Sequence, residues 1–236
     1  MMKRRDLIAA GAAVIATTLA ACHKPAEPAA PVDEAPPPAP PAPPPPPPPE
    51  PDTVTVSLQT DKGEIVLLLE AKKAPITVGN FLKYVDAGKL VGAPFWRAAH
   101  SGESGFIQAT MKGPTFPPIA HESTKVTGLS HTSGAISMSR FAPGTATADF
   151  VICVGDNTYM DFGRNGSDDH LGYAAFGHVV KGMGVVRSIL AGRIDSHTRE
   201  GGWSGQMLKK PVIIQSATRV APAQVAVEAA SAVASS

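Results

Sequence analysis

Cysteine is nearly absent: Cys22 and Cys153 are the only two in 236 residues. A framework of several disulfides is thereby excluded, and no Cys-x-x-Cys spacing exists to hold zinc or turn over electrons. Histidine is also sparse. His23, His100, His121, His131, His170, His178 and His197 are scattered, and none forms His-x-x-x-His, so no metal centre is expected. His121-Glu122 and Asp168-Asp169-His170 read as solvated loop clusters. There is no Gly-x-Ser-x-Gly elbow. Gly201-Gly202-Trp203-Ser204-Gly205 lacks phosphate-loop spacing and a following lysine, and reads as a loop before the last strand. The net charge is +1 and no basic stripe stands out, which argues against a nucleic-acid binder.

Long apolar runs are missing too. The best, Leu7 to Ala21, falls short of the roughly 20 residues a membrane span needs. It follows Lys3, Arg4 and Arg5 and ends at Cys22, the layout of an export signal. Leu19-Ala20-Ala21-Cys22 resembles a bacterial lipobox, so residues 1–22 are expected to be a lipoprotein signal with Cys22 the lipidation site. Arg4-Arg5 hints at twin-arginine export. Removing residues 1–21 takes away Lys3, Arg4, Arg5 and Asp6, a net +2, and leaves −1.

What the chain has in abundance is proline, 24 residues, with Pro43 to Pro49 unbroken. Residues 23–52 are mostly Pro and Ala. They cannot bury apolar surface and favour polyproline II, a stiff tether reaching at most about 90 Å. Residues 221–236 read as an Ala-rich tail. The expected location is the periplasmic side of the cell envelope, lipid-anchored to a membrane.

Residues 53–220 remain as one domain. Val54 to Gln59 alternates apolar and polar, Asp61-Lys62-Gly63 signals a turn, and Glu64 to Leu69 completes a hairpin. Ala74-Pro75 opens a helix with Val78, Phe81, Leu82 and Val85 on one face, stopped at Gly88. Strands are predicted at 94–98, 106–111, 134–139, 150–154, 174–176 and 211–220. A second helix is predicted over 183–191, with Val185, Val186, Ile189 and Leu190 inward. Cys153 falls in a buried strand. Many short strands with two helices argue for an antiparallel barrel or sandwich.

Five segments occur in order: Phe95-Trp96-Arg97, Phe106-Ile107-Gln108, Gly134 to Arg140 with Met138 inside it, Asp149-Phe150-Val151-Ile152, and Gly172 to Gly177. In order and spacing they resemble the cyclophilin-type peptidyl-prolyl isomerases, over the whole of 53–220. The resemblance implies a mainly β fold, a closed eight-stranded antiparallel barrel capped by two α-helices. It implies cis–trans isomerisation of Xaa-Pro bonds in proline-containing polypeptide substrates, by a monomer, with no cofactor. It carries the essential arginine onto Arg97 and the glutamine that bonds the substrate backbone onto Gln108. Phe95, Phe106, Met138, Val151, Tyr159 and Tyr173 fall at its substrate-binding positions, Met138 in the proline pocket.

The departures from that pattern matter. Trp96 replaces a histidine, and Phe106 sits one residue closer to Gln108 than usual. Val151 replaces a large phenylalanine, which should widen the proline subsite. Asp149 replaces a neutral amide and is expected to pair with Arg97. Arg140 replaces a small polar residue and should narrow the groove. These changes keep open an alternative reading, a proline-peptide-binding chaperone or scaffold with little turnover.

Overall fold

In a computed structural model, which describes residues 51–111, 113–195 and 203–221, the predicted hairpin forms from β1 (Val54–Thr60) and β2 (Gly63–Leu69). Thr60 pairs with Gly63 across a two-residue turn. Gly63 has φ 126°, a backbone conformation that glycine adopts without strain. The Thr60 hydroxyl donates to the Gly63 carbonyl and accepts from the Lys62 amide. Period-two alternation sends Val56, Leu58, Ile65, Leu67 and Leu69 inward, each fully buried.

The remaining strands are β3 (Pro94–Ser101), β4 (Ser104–Ala109), β5 (Ala135–Met138), β6 (Phe150–Val154), β7 (Ala174–Lys181) and β8 (Met207–Val220). They close a barrel in the order β1-β2-β7-β5-β6-β4-β3-β8, antiparallel at every pairing. Closure leaves no sheet edge unpaired. β7 runs five residues beyond the predicted end, because its pairing with β2 continues to Lys181.

Helix α1 (Pro75–Asp86) buries Val78, Phe81, Leu82 and Val85 as its spacing predicts, with Tyr84 as well. Phe81 meets Phe150 edge-on at 5.4 Å and Phe176 at 5.4 Å, so the helix plugs the aromatic part of the core. Gly88 follows at φ 65°. A one-turn helix, α2 (Thr124–Thr127), has no counterpart in the expectations. Helix α3 (Met183–Leu190) buries Val186, Ile189 and Leu190, while Val185 is half-buried.

One sequence reading fails at α1. Its N-cap, Ala74, offers no side chain to the first-turn amides. Glu122 supplies the cap instead, accepting from the Ile76 amide at 3.1 Å, the Thr77 amide at 2.7 Å and the Thr77 hydroxyl at 2.6 Å. Glu122 is therefore a capping carboxylate rather than part of a solvated cluster. Cys22, residues 23–50 of the tether, His197 and most of the 221–236 tail lie outside the described residues.

Candidate active site

A bulge on β3 builds the site. Phe95 pairs with Ala109 and Val212, and Arg97 with Gln108 and Met207; the register shifts between them on both sides. Trp96 is the extra residue. Phe95 and Ala98 both point into the core, fully buried, and between them Trp96 and Arg97 both turn to the outside. Bulges re-aim side chains in this way.

The neighbouring strands present the same outer face. On β4, Ile107 and Ala109 point inward, so Phe106 and Gln108 face out. On β6, Phe150 and Ile152 are inward and Val151 and Cys153 outward. Register sets Gln108 beside Val151 and Val151 beside Ser137, one row across three strands. Val151, Cys153, Met160 and Ala135 form an apolar cluster outside the barrel, with Phe106 and Tyr173 packed on it. A cleft of about 430 Å³ opens over this row. Its walls include Trp96, Arg97, Phe106, Gln108, Val151, Tyr159, Met160, Tyr173 and Trp203.

Arg97 is held from two sides. Nη1 donates to Gln108 Oε1 at 2.8 Å, and Nε donates to Gln206 Oε1 at 2.7 Å. Its Cζ lies 5.0 Å from the Phe106 ring centre and 5.5 Å from that of Trp203. Burial in the cleft lowers the guanidinium pKa, opposed by Tyr173 and Tyr159. Even so lowered, an arginine remains a cation.

The expected Arg97–Asp149 ion pair does not form. Gln108 stands between them: its carbonyl oxygen accepts from Arg97, and its side chain also bonds Asp149. Thr110 Oγ1 donates to Asp149 at 2.5 Å. Burial raises the Asp149 pKa, and these bonds only partly offset it. Arg140 is part of the cleft wall. Its guanidinium folds onto Asp169 at 2.8 and 2.9 Å and onto the Gly172 carbonyl, leaving the side chain 2% exposed. Phe141, beside it, stands 86% exposed at the cleft rim.

Two of the predicted substrate-binding residues are elsewhere. Phe95 lies inside the barrel, its ring 5.8 Å from that of Phe150. Met138 shares the inward face of β5 with Ile136 and is 1% exposed. Strand parity excludes both from the cleft. Arg97, Gln108, Phe106, Val151, Tyr159 and Tyr173 do line it. Met160, Trp203 and Gln206 were not singled out from sequence. Met160 was readable, being the apolar neighbour of Tyr159. Gln206 lies 109 residues from Arg97, with no local signal to link them.

A serine–histidine–aspartate chain also exists. His131 Nδ1 donates to Asp161 at 2.6 Å, and its Nε2 lies 2.8 Å from Ser137 Oγ. Both Ser137 and His131 are fully buried, so no substrate reaches the hydroxyl. The ring is neutral despite its carboxylate partner, because burial lowers its pKa more than Asp161 raises it.

Residues 55–219 match the family model described as cyclophilin type peptidyl-prolyl cis-trans isomerase/CLD. Peptidyl-prolyl cis-trans isomerase A of Dickeya dadantii is 37% identical over 166 residues, 69% of this chain and 82% of that protein. Peptidyl-prolyl cis-trans isomerase B of Escherichia coli is 35% identical over 167 residues, covering 69% and 98%. Among solved structures, a cyclophilin-type isomerase of Cryptosporidium parvum, determined in the presence of the dipeptide Ala-Pro, shares the fold. Its TM-score is 0.57 at 18% identity, over 71% of this chain and 99% of that one.

Proposed function

Because the chain belongs to the cyclophilin-type peptidyl-prolyl cis-trans isomerases and isomerises Xaa-Pro bonds, we propose that Arg97 and Gln108 carry the reaction in the cleft on the barrel's outer face. The observation that carries this reading is the guanidinium pinned beside the apolar cluster of Phe106, Val151, Met160 and Tyr173.

An Xaa-Pro amide resists rotation by about 18–20 kcal/mol, because its C–N bond is partly double. No nucleophile or metal is needed to lower that barrier. The catalyst must hold the proline ring and favour the twisted amide over the planar one. The apolar cluster takes the ring, and Gln108 bonds the substrate backbone. In the twisted state the nitrogen gains a basic lone pair, so a fixed cationic donor stabilises it preferentially. Nη2 of Arg97 has no hydrogen-bond partner among the described residues and is the donor for that nitrogen.

The test is the isomerisation rate of a short Xaa-Pro-Phe peptide with the parent chain and with Arg97→Ala. Loss of one preorganised donor lowers kcat by about 10²–10³. An Arg97→Ala protein as fast as the parent would refute the role given to Arg97.

The clients we propose are exported polypeptides, met by a monomer held at a membrane through lipid on Cys22 and spaced from it by residues 23–52. The sequence of residues 1–52 supports this reading. Incorporation of labelled fatty acid into the full chain, lost in Cys22→Ser together with membrane sedimentation, is the expected result. Light scattering at the mass of one detergent-solubilised chain tests the monomer.

A further inference from the structure

The segment Trp203–Gln206 comes from far along the chain and makes two contacts with Arg97 and one with its neighbour Ala98. The Gln206 side chain accepts from Nε at 2.7 Å. The Gln206 carbonyl accepts from the amide of Ala98, next to Arg97, at 2.8 Å. The Trp203 ring lies 5.5 Å from Cζ. The segment is itself braced. The Gln206 amide donates to the Trp203 carbonyl at 3.1 Å, closing a turn in which Gly205 has φ 77°. Trp203 meets Trp96 edge-on at 5.4 Å. Trp96 is the residue that the β3 bulge expels, so one irregularity both turns Arg97 outward and provides the prop for Trp203.

A guanidinium is a flat fork of five N–H groups on a flexible stem. One acceptor leaves it free to swivel about that contact. Two acceptors at different nitrogens, Gln108 at Nη1 and Gln206 at Nε, fix the plane, and fixing it fixes where Nη2 points. The rings of Phe106 and Trp203 close in on the same group.

We propose that Gln206 and Trp203 are positioning residues of the isomerase, which orient the Arg97 guanidinium so that Nη2 faces the prolyl nitrogen. Both act through Arg97 rather than by bonding the prolyl amide. The inference rests on the role proposed for Arg97, and the experiment separates the two.

The experiment is a double-mutant cycle on the full-length chain: parent, Gln206→Ala, Arg97→Ala and the pair together, with Gln206→Glu and Trp203→Phe as conservative variants. kcat and KM are read separately, and a thermal midpoint is recorded for each protein. A misplacement of about 1 Å can lower a rate about 100-fold. The expected result is a 10- to 100-fold fall in kcat for Gln206→Ala, with KM little changed. Gln206→Glu keeps an acceptor at Nε and stays within a few-fold of the parent, as does Trp203→Phe, which keeps a ring. In the Arg97→Ala background, Gln206→Ala has no further effect, because residues that act as a unit are not additive. The backbone bond from Ala98 survives every Gln206 substitution, so the segment keeps its place. If Gln206→Ala slows Arg97→Ala by the same factor as the parent, or leaves the parent rate unchanged, the inference is overturned while the role of Arg97 stands. If Arg97→Ala is itself as fast as the parent, both fall.

Discussion

Glu122→Ala should destabilise the domain by about 2–4 kcal/mol while leaving the cleft intact. The figure follows from what the carboxylate holds. It closes the N-terminus of α1, whose own cap residue, Ala74, contributes no side-chain bond. Removing an N-cap side chain costs about 1 kcal/mol. Thr77 is fully buried, and its amide and hydroxyl both lose their acceptor. A buried polar group left without a partner costs about 1–3 kcal/mol. The Ile76 amide sits at an exposed position and is taken up by water, so its loss adds little. The negative charge near the helix N-terminus contributes a few tenths more. For a domain of this size each kcal/mol lowers Tm by about 2–4 °C, so a fall of about 4–16 °C is expected. Urea unfolding gives the free energy directly, with an unchanged m-value showing that the native fold persists. Glu122→Gln keeps one carbonyl acceptor and should recover about half the loss. Activity on an Xaa-Pro peptide should stay within two-fold, since Glu122 lines no part of the cleft. A Glu122→Ala protein that loses under about 0.5 kcal/mol by the same assay would refute the capping argument.

Three further outcomes follow from buried groups. His131 is held neutral by burial, its pKa lowered, so its contribution to stability is complete above the unfolded value of about 6.5 and is lost as pH falls below it. Urea midpoints at pH 7.5, 6.5 and 5.5 should decline in that order, and His131→Gln should flatten the decline. Asp149 has the opposite sign: burial raises its pKa, so its carboxyl favours the fold below about pH 4 and loses that advantage as pH rises. Asp149→Asn should therefore gain over the parent at pH 7 and not at pH 3, read by the same midpoints. The Cys153 thiol is buried and its pKa pushed up to about 12. In a Cys22→Ser chain, iodoacetamide at pH 8 should leave it unlabelled until denaturant is added, and rapid labelling of the native protein would contradict its placement.

Much of this was legible in the chain. The helix-period spacing of Val78, Phe81, Leu82 and Val85 named the buried face of α1, and the run Phe150 to Val154 is β6 to the residue. Arg97 and Gln108 face each other across β3 and β4. Phe95 and Met138 went astray because a pattern places a residue near a site without saying which side of the strand it faces. The bulge at Trp96 compounds this. A strict period of two would put Phe95 and Arg97 on one face, yet Phe95 is in the core and Arg97 lines the cleft.

What periodicity determined by itself is therefore the elements and a class, an antiparallel barrel or sandwich with helices, while the closed eight-stranded barrel came from the family resemblance. Local alternation, turn glycines and helical spacing each concern neighbours along the chain, and hydrophobic burial needs only that the pattern be right. What the tertiary structure alone decided is who partners whom at the polar positions. Arg97 takes Gln206 and Gln108 rather than Asp149, Arg140 takes Asp169, and α1 takes its cap from Glu122. Hydrogen bonds depend on tenths of an ångström and on angle, and residues 11 to 109 positions apart come within that range only after the barrel has closed.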